Sequence, residues 1–180
     1  MNGNTLEGFQ EQIQDVRERA NREGREDKVK FALNGFVIVR DTEEEAVRVL
    51  QEIQGKANKE AVEAFRAEVQ NAGAASSNKV GMWANSKFED LVQYNDGFKT
   101  KLIGTPTQVV DRILLLKSWG ISILLVAFLH YDEEIQQFGD QILAKVREKE
   151  REGRGQDQDI EIKLTGDVYR AKNQEEKTTA

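Results

Sequence analysis

Apolar positions along the chain follow two different periods, and the switches between them mark the elements. TLEGFQEQIQDVRERANRE, residues 5–23, puts Leu6, Phe9, Ile13, Val16 and Ala20 at helical spacing. This predicts an amphipathic helix capped by Thr5 and stopped by Gly24. VKFALNGFVIV, residues 29–39, is rich in β-branched and aromatic residues and reads as a strand buried on both faces. RDTEEEAVRVLQEIQ then opens a second helix, with Asp41 or Thr42 as its cap and Thr42/Glu45 at capping-box spacing. Glu43, Glu44 and Glu45 fall in its first turn, where the helix dipole favours acids, and read as a solvated helix start.

The middle of the chain loses this regularity. KANKEAVEAFRAEVQ suits a helix, but the following NAGAASSNKVGMWANSKFEDLVQYNDGFKTK is small, polar and aromatic without a period. A long irregular segment inside a compact domain is usually a functional loop or a disordered one. Regularity returns at GTPTQVVDRILLLKSWG: Thr105 caps, Pro106 takes the first turn, Gln108 completes a capping box and Gly120 ends the helix. Val109, Val110, Ile113 and Leu116 supply its apolar face. ISILLVAFL reads as a second buried strand, and Asp132 as the cap of a last helix with Ile135, Phe138, Ile142, Leu143 and Val146 on one side. From about Arg147 the mixed charge predicts a disordered tail, in which only DIEIKLTG alternates like a strand.

Two buried strands, each followed by a helix, predict an α/β fold with parallel strands. Two strands alone cannot cover their own edges. The opening MNGNT starts on a turn just before a capped helix, where a βα unit would first supply a strand.

Composition narrows the function. A formal charge of −6 with no evident basic face argues against a nucleic-acid partner. The absence of cysteine excludes disulfides, thiolate zinc sites and cysteine nucleophiles. A single histidine, His130, disfavours a histidine-based metal site, so no metal is expected. The longest apolar run, Ile123 to Leu129, is too short to span a bilayer. Polar residues follow Met1 directly, so no signal peptide is expected and the default location is cytoplasmic.

Four stretches in order, NGNTLEGFQEQI, LNGFVIVRDTEEEA, NDGFKTKLIGTPTQVVDRI and FLHYDEEIQQFGDQIL, resemble the C-terminal part of the bacterial-luciferase-like flavin monooxygenases. The resemblance is to the reduced-FMN-dependent dimethyl sulfone monooxygenases, with the alkanesulfonate monooxygenases as nearer cousins than luciferase itself. It covers roughly residues 2–150 and implies a partial TIM barrel, since a whole one needs eight strands and typically about 250 residues. On that template Asn2–Thr5 resembles the loop leaving strand six, 29–39 strand seven and 121–129 strand eight. Residues 55–101 resemble the family's insertion, part of which closes over the active site, and 151–180 remain as a disordered tail. The chain is thus expected to be about the last third of a barrel, as a truncated reading frame, a fragment or a degenerate paralogue.

The resemblance implies reduced FMN as cofactor, delivered by a flavin reductase, and oxygenation of a small organosulfur compound such as dimethyl sulfone to methanesulfinate and formaldehyde. Active sites of TIM barrels lie at the C-terminal ends of the strands. Two corners reach that face: Phe128, His130 and Tyr131 at the end of strand eight, and Asn95, Lys99 and Thr100 in YNDGFKTKLIG. His130 is the candidate acid–base residue, or else a residue satisfied locally at the helix start. Phe128 stands where the alkanesulfonate enzymes carry a tyrosine, so it can shape a pocket but cannot donate a proton. Asn95 aligns with an arginine that binds sulfonate in those cousins, which suits a neutral substrate. Lys99 could compensate, or be a solvated loop lysine. Trp83 and Phe88 would pack the lid or the core. The family's FMN-phosphate contacts and an upstream catalytic histidine lie on strands that these residues do not match, and no glycine-rich phosphate cradle replaces them. The alternative to a monooxygenase region is a non-catalytic interaction protein, pairing its exposed edges as a homo-oligomer or with a complementing chain.

Overall fold

The computed structural model describes residue 1, residues 5–74, 83, 86–95 and 97–153, and the backbone of 161–164 and 167–170. Helix α1, Leu6–Arg22, is capped by Thr5, whose hydroxyl accepts from the Gly8 N–H at 3.2 Å. Leu6, Phe9 and Ile13 are buried as their spacing predicts, whereas Val16 is 39% exposed and Ala20 half-buried. Strand β1, Phe31–Phe36, runs almost directly into β2, Ile38–Val39. Helix α2, Glu43–Lys56, starts at Thr42, which accepts from the Glu45 N–H; the Glu45 carboxylate lies 3.8 Å from Arg48. Helix α3, Lys59–Ala74, and the short α4, Phe88–Leu91, belong to the insertion. A 3₁₀ turn, Gly97–Thr100, leads into β3, Ile103–Gly104. Helix α5, Pro106–Ser118, has the full predicted capping box between Thr105 and Gln108. Strand β4, Ile121–Ala127, is followed by α6, Tyr131–Gln137, a π-helical segment Phe138–Leu143, and α7, Ala144–Arg151.

All pairings among these strands are parallel. β1 pairs β4 from Phe31/Ile121 to Phe36/Ala127, with one slip after Phe31, and β2 pairs β3 through Ile38/Ile103 and Val39/Gly104. Successive N–H groups of an extended run point to opposite edges. Val37 donates to Ala127 at 2.9 Å, while Ile38 donates to Leu102 at 3.0 Å and Arg40 to Gly104 at 3.1 Å. The β1–β2 run therefore has β4 on one edge and β3 on the other. Met1 sits on the β3 side as well: its amino group donates to the Ala32 carbonyl, and its carbonyl accepts from Asn34 at 3.4 Å. This is the bonding of one residue of a parallel strand.

Two cores lie about this ribbon. Leu33, Val37 and Phe128 join α1, α5 and the C-terminal helix in one, and Phe36, Ile38 and Phe98 join α2 and the insertion in the other. The expectation that both strands are buried on both faces is met in full by neither, and Ala32 and Asn34 of β1 are half-buried. Ala32, Asn34 and Phe36 stand opposite Ile123, Leu125 and Ala127, and on this face Ile123 is 46% and Leu125 59% exposed. The physical reason is that, among the described residues, β4 has a strand neighbour on one edge and helices on one face only.

The last helix also departs from expectation. Phe138, Ile142 and Val146 are buried, but Ile135 and Leu143 are 54% and 37% exposed. The wider π turn keeps residues four apart on one stripe, and Ile135 and Leu143 fall beside it. Within the segment expected to be a disordered tail, the helix continues to Arg151, and Glu161–Leu164 (β5) pairs antiparallel with Asp167–Arg170 (β6). Alternation in DIEIKLTG suffices for that hairpin strand; the rest of the expectation lies outside the described residues.

Candidate functional site

The first predicted corner sits at the rim where β4 ends, and the second in the turn that leads into β3. Phe128 follows β4 directly and is 5% exposed, with its ring edge-on to Tyr131 at 5.6 Å and to Phe138 at 5.5 Å. Tyr131 is 55% exposed and covers Phe128 from outside. His130 takes the position just before α6, with extended backbone at φ −120° and ψ 90°. Its imidazole is exposed and makes no capping hydrogen bond, so the local side-chain role considered for it is not realised.

Asp132, the expected cap, lies exposed in the first turn. The capping acid is Glu134, which the sequence reading did not single out. One of its oxygens accepts from the backbone N–H groups of Leu129 at 2.9 Å and His130 at 3.0 Å, and the other from Arg40 at 3.1 Å. Glu134 is 9% exposed. A buried carboxylate needs such partners, because an unpaired charge there is costly. Its glutamate arm is long enough to fold back over the junction and still meet a cation at the end of β2. Only Arg40, placed just after VIV in the sequence, hinted at this. Val37, Val39, Phe128, Glu134, Gln137 and Phe138 enclose a cavity of about 10 Å³, room for about one water molecule.

The second corner is a compact turn above β1. Phe98 packs on Phe36 with ring centres 4.9 Å apart. Gly97 has no Cβ because one would stand 2.9 Å from the Phe36 nitrogen. Asn95 is half-buried and shapes the turn itself, accepting from the Gly97 N–H at 2.8 Å and donating to the Gln93 carbonyl at 3.2 Å. Thr100 is fully buried and donates to the Gly97 carbonyl at 2.6 Å. Lys99 is not a solvated loop lysine: it is 8% exposed, donates to the Ser86 hydroxyl at 2.9 Å and lies 4.0 Å from Asp90. Burial follows from the neighbouring Phe98 and Thr100, which pull the turn into the fold. Tyr94 and Lys101, on either side, hold left-handed backbone at φ 54° and 55°, a strain of about 1–3 kcal/mol each that the packed turn between them offsets. Trp83 packs with its ring tilted against Phe65 of α3 at 5.7 Å, and Phe88 packs with it against the insertion core. Phe128, His130 and Tyr131 thus follow the C-terminal end of β4, whereas Asn95, Lys99 and Thr100 belong to the segment that leads into β3 and packs on Phe36 of β1.

The profile described as Luciferase-like monooxygenase matches residues 1–122. The chain belongs to the luciferase-like monooxygenase family. It is similar to an FMNH(2)-dependent dimethylsulfone monooxygenase of Pseudomonas putida, 55% identical over 83% of this chain and 40% of that relative. A protein of the same description from Pseudomonas fluorescens (strain Pf0-1) is 51% identical over the same shares. A sulfoquinovose monooxygenase of Novosphingobium aromaticivorans is 24% identical over 79% of this chain. The crystal structure of riboflavin lyase (RcaE) with modified FMN and substrate riboflavin superposes with a TM-score of 0.62 at 23% identity, over 83% of this chain and 38% of that one. That likeness concerns the fold. This luciferase-like chain therefore spans about 40% of the length of the curated relatives it matches.

A flavin does not fit the described residues by themselves. The rim cavity has space for about one water molecule. The two loops that follow barrel strands seven and eight often carry a phosphate, but here Glu43–Glu45 fill the first turn of α2, and Glu134 already takes the N–H groups of Leu129 and His130. Among the described residues no group of three or more His, Asp or Glu is placed to hold a metal ion, and no helix is long and apolar enough to cross a membrane.

Proposed function

We propose that this chain supplies the C-terminal rim and insertion of a flavin-dependent monooxygenase site acting on a small organosulfur compound such as dimethyl sulfone. The observation that carries the reading is the 55% identity to a protein described as an FMNH(2)-dependent dimethylsulfone monooxygenase. In this reading reduced FMN, delivered by a flavin reductase, supplies the oxygen-activating chemistry. Its phosphate anchor belongs to the part of the relatives that this chain does not match. Residues 1–150 are the barrel portion, with 55–101 as insertion and 151–180 as a tail, and the protein works in the cytoplasm.

The roles follow from the chemistry of each side chain. His130 is the candidate acid–base residue, and Glu134 with Arg40 fixes the backbone that aims it. Phe128 and Tyr131 form an aromatic wall that suits an uncharged substrate and excludes water. Asn95 and Thr100 spend their hydrogen bonds on the turn, so they position rather than react. Lys99 ties that turn to Ser86, and Trp83 and Phe88 pack the insertion that would close over the site.

Grafting the matched stretch of this chain into the Pseudomonas putida relative tests the reading. The expected graft binds reduced FMN and forms methanesulfinate from dimethyl sulfone. A graft that folds and binds FMN but forms no sulfinate contradicts it. The isolated chain, titrated anaerobically with reduced FMN, is expected to show no binding. A second reading, a non-catalytic protein that pairs its edges with itself or a complementing chain, is favoured by the exposure of Ile123 and Leu125.

A further inference from the structure

Glu134 consumes most of the donors where β4 ends. Its carboxylate takes the N–H groups of Leu129 and His130 and the guanidinium of Arg40. From Phe128 through the first turn of α6, two side chains able to donate a hydrogen bond remain exposed, His130 and Tyr131. The Tyr131 hydroxyl is not spent on the fold: among the described residues no hydrogen bond is made to it. Its ring, by contrast, is held. It stands edge-on to Phe128 at 5.6 Å, and the buried Phe128 stands in turn edge-on to Phe138 at 5.5 Å. The backbone beneath is fixed as well, because Tyr131 opens α6 directly after the two N–H groups that Glu134 holds. Covering Phe128 needs the ring of Tyr131 and not its oxygen. The hydroxyl is therefore a rigidly carried donor with no structural use in these residues.

We infer that Tyr131 is a specificity-determining residue of the organosulfur site, and that its O–H donates to a sulfonyl oxygen of the substrate. A phenol brings a donor without a charge, which matches an oxygen that accepts strongly and carries no net charge. The apolar body of the same side chain suits the methyl groups beside that oxygen. A sulfide of the same size has no such oxygen. It would strip water from the phenol and return nothing, the situation in which a polar site rejects an analogue. An anion is served poorly here, since Arg40 is engaged by Glu134 and the exposed neighbours Asp132 and Glu133 repel it. The inference rests on the monooxygenase reading under the proposed function, and adds to it the group that tells a sulfone from the corresponding sulfide.

The test compares dimethyl sulfone with dimethyl sulfide in the FMN-loaded Pseudomonas putida graft and in its Tyr131→Phe variant. Ligand-observed NMR measures the affinity for each compound, and sulfinate formation gives KM and kcat for the sulfone. Tyr131→Phe should weaken sulfone binding and raise its KM by about threefold to tenfold. It should leave kcat nearly as it was, because a contact made equally in ground and transition states moves KM alone. Sulfide binding and the melting curve should not change, since the ring over Phe128 stays. Tyr131→Leu, which removes ring and hydroxyl together, should show at least the same loss for the sulfone. An unchanged sulfone affinity and KM in the phenylalanine variant, or an equal loss for sulfone and sulfide, would overturn the inference and leave Tyr131 as a cover for Phe128. A graft that binds the sulfone through Tyr131 but forms no sulfinate would sink the catalytic reading and leave this one standing. Sulfinate formed at an unaltered KM by the variant would do the reverse.

Discussion

Strand β4 is the more apolar of the two long strands and yet the more exposed, whereas β1 is largely buried. β1 has β4 on one edge and Met1 on the other, with β3 beside its continuation β2, helices behind it and the Gly97–Thr100 turn in front. Leu33 at its centre is fully buried. Among the described residues β4 has one strand neighbour, and Leu125, on the same face as Ile123, is 59% exposed. An apolar run records what a strand needs. The surroundings record what this chain supplies, and the difference between the two strands locates the contact that the rest of a luciferase-like barrel would make.

Truncation at the two strand centres sharpens that contrast most. Leu33→Ala should lower stability to urea by about 2–5 kcal/mol, since it opens a cavity in a packed core. Leu125→Ala should change it by less than about 0.5 kcal/mol in the chain alone. Equal losses at both positions would break the comparison. The rim comes next. Glu134→Ala should cost about 3 kcal/mol, because it strands Arg40 and frees the Leu129 and His130 N–H groups, and urea titration of the variant measures it.

The caps at Thr5, Thr42 and Thr105 are legible in the sequence because capping is local: the hydroxyl and its N–H lie three residues apart. The parallel strands are legible for a similar reason, as short apolar runs each followed by a capped helix. Glu134 and Lys99 are not. Three acids follow His130 and Tyr131, and nothing local says which one folds back to the junction; the choice is made by Arg40, distant in sequence and close in space. Lys99 reads as solvated because its neighbours in YNDGFKTKLIG are polar. Its burial is set by Phe98 docking on Phe36, a contact that pattern alone does not contain. Ile135 and Leu143 fail the other way: the helical pattern marks them for burial, and no part of this chain among the described residues covers them.

Smaller effects separate the two corners of the rim. Lys99→Met should destabilise by about 1–3 kcal/mol by leaving the buried Ser86 hydroxyl without its donor, and limited proteolysis should then cut sooner between Trp83 and Leu91. His130→Ala should change stability by less than about 0.5 kcal/mol, since the imidazole is exposed and uncapping. In the graft, however, it should lower sulfinate formation by about a hundredfold or more, as loss of an acid–base group does. Full activity of that variant would return His130 to the status of an ordinary rim residue.

Amide hydrogen exchange along β4 tests the central claim most directly. In the isolated chain the β4 N–H groups directed at β1 should be protected, and those on its free edge should exchange at near the unfolded rate. On adding the preceding portion of the Pseudomonas putida relative, the free-edge amides should slow by about a hundredfold or more. Free-edge amides that are already slow in the monomer, or that stay fast in the mixture, would contradict the account.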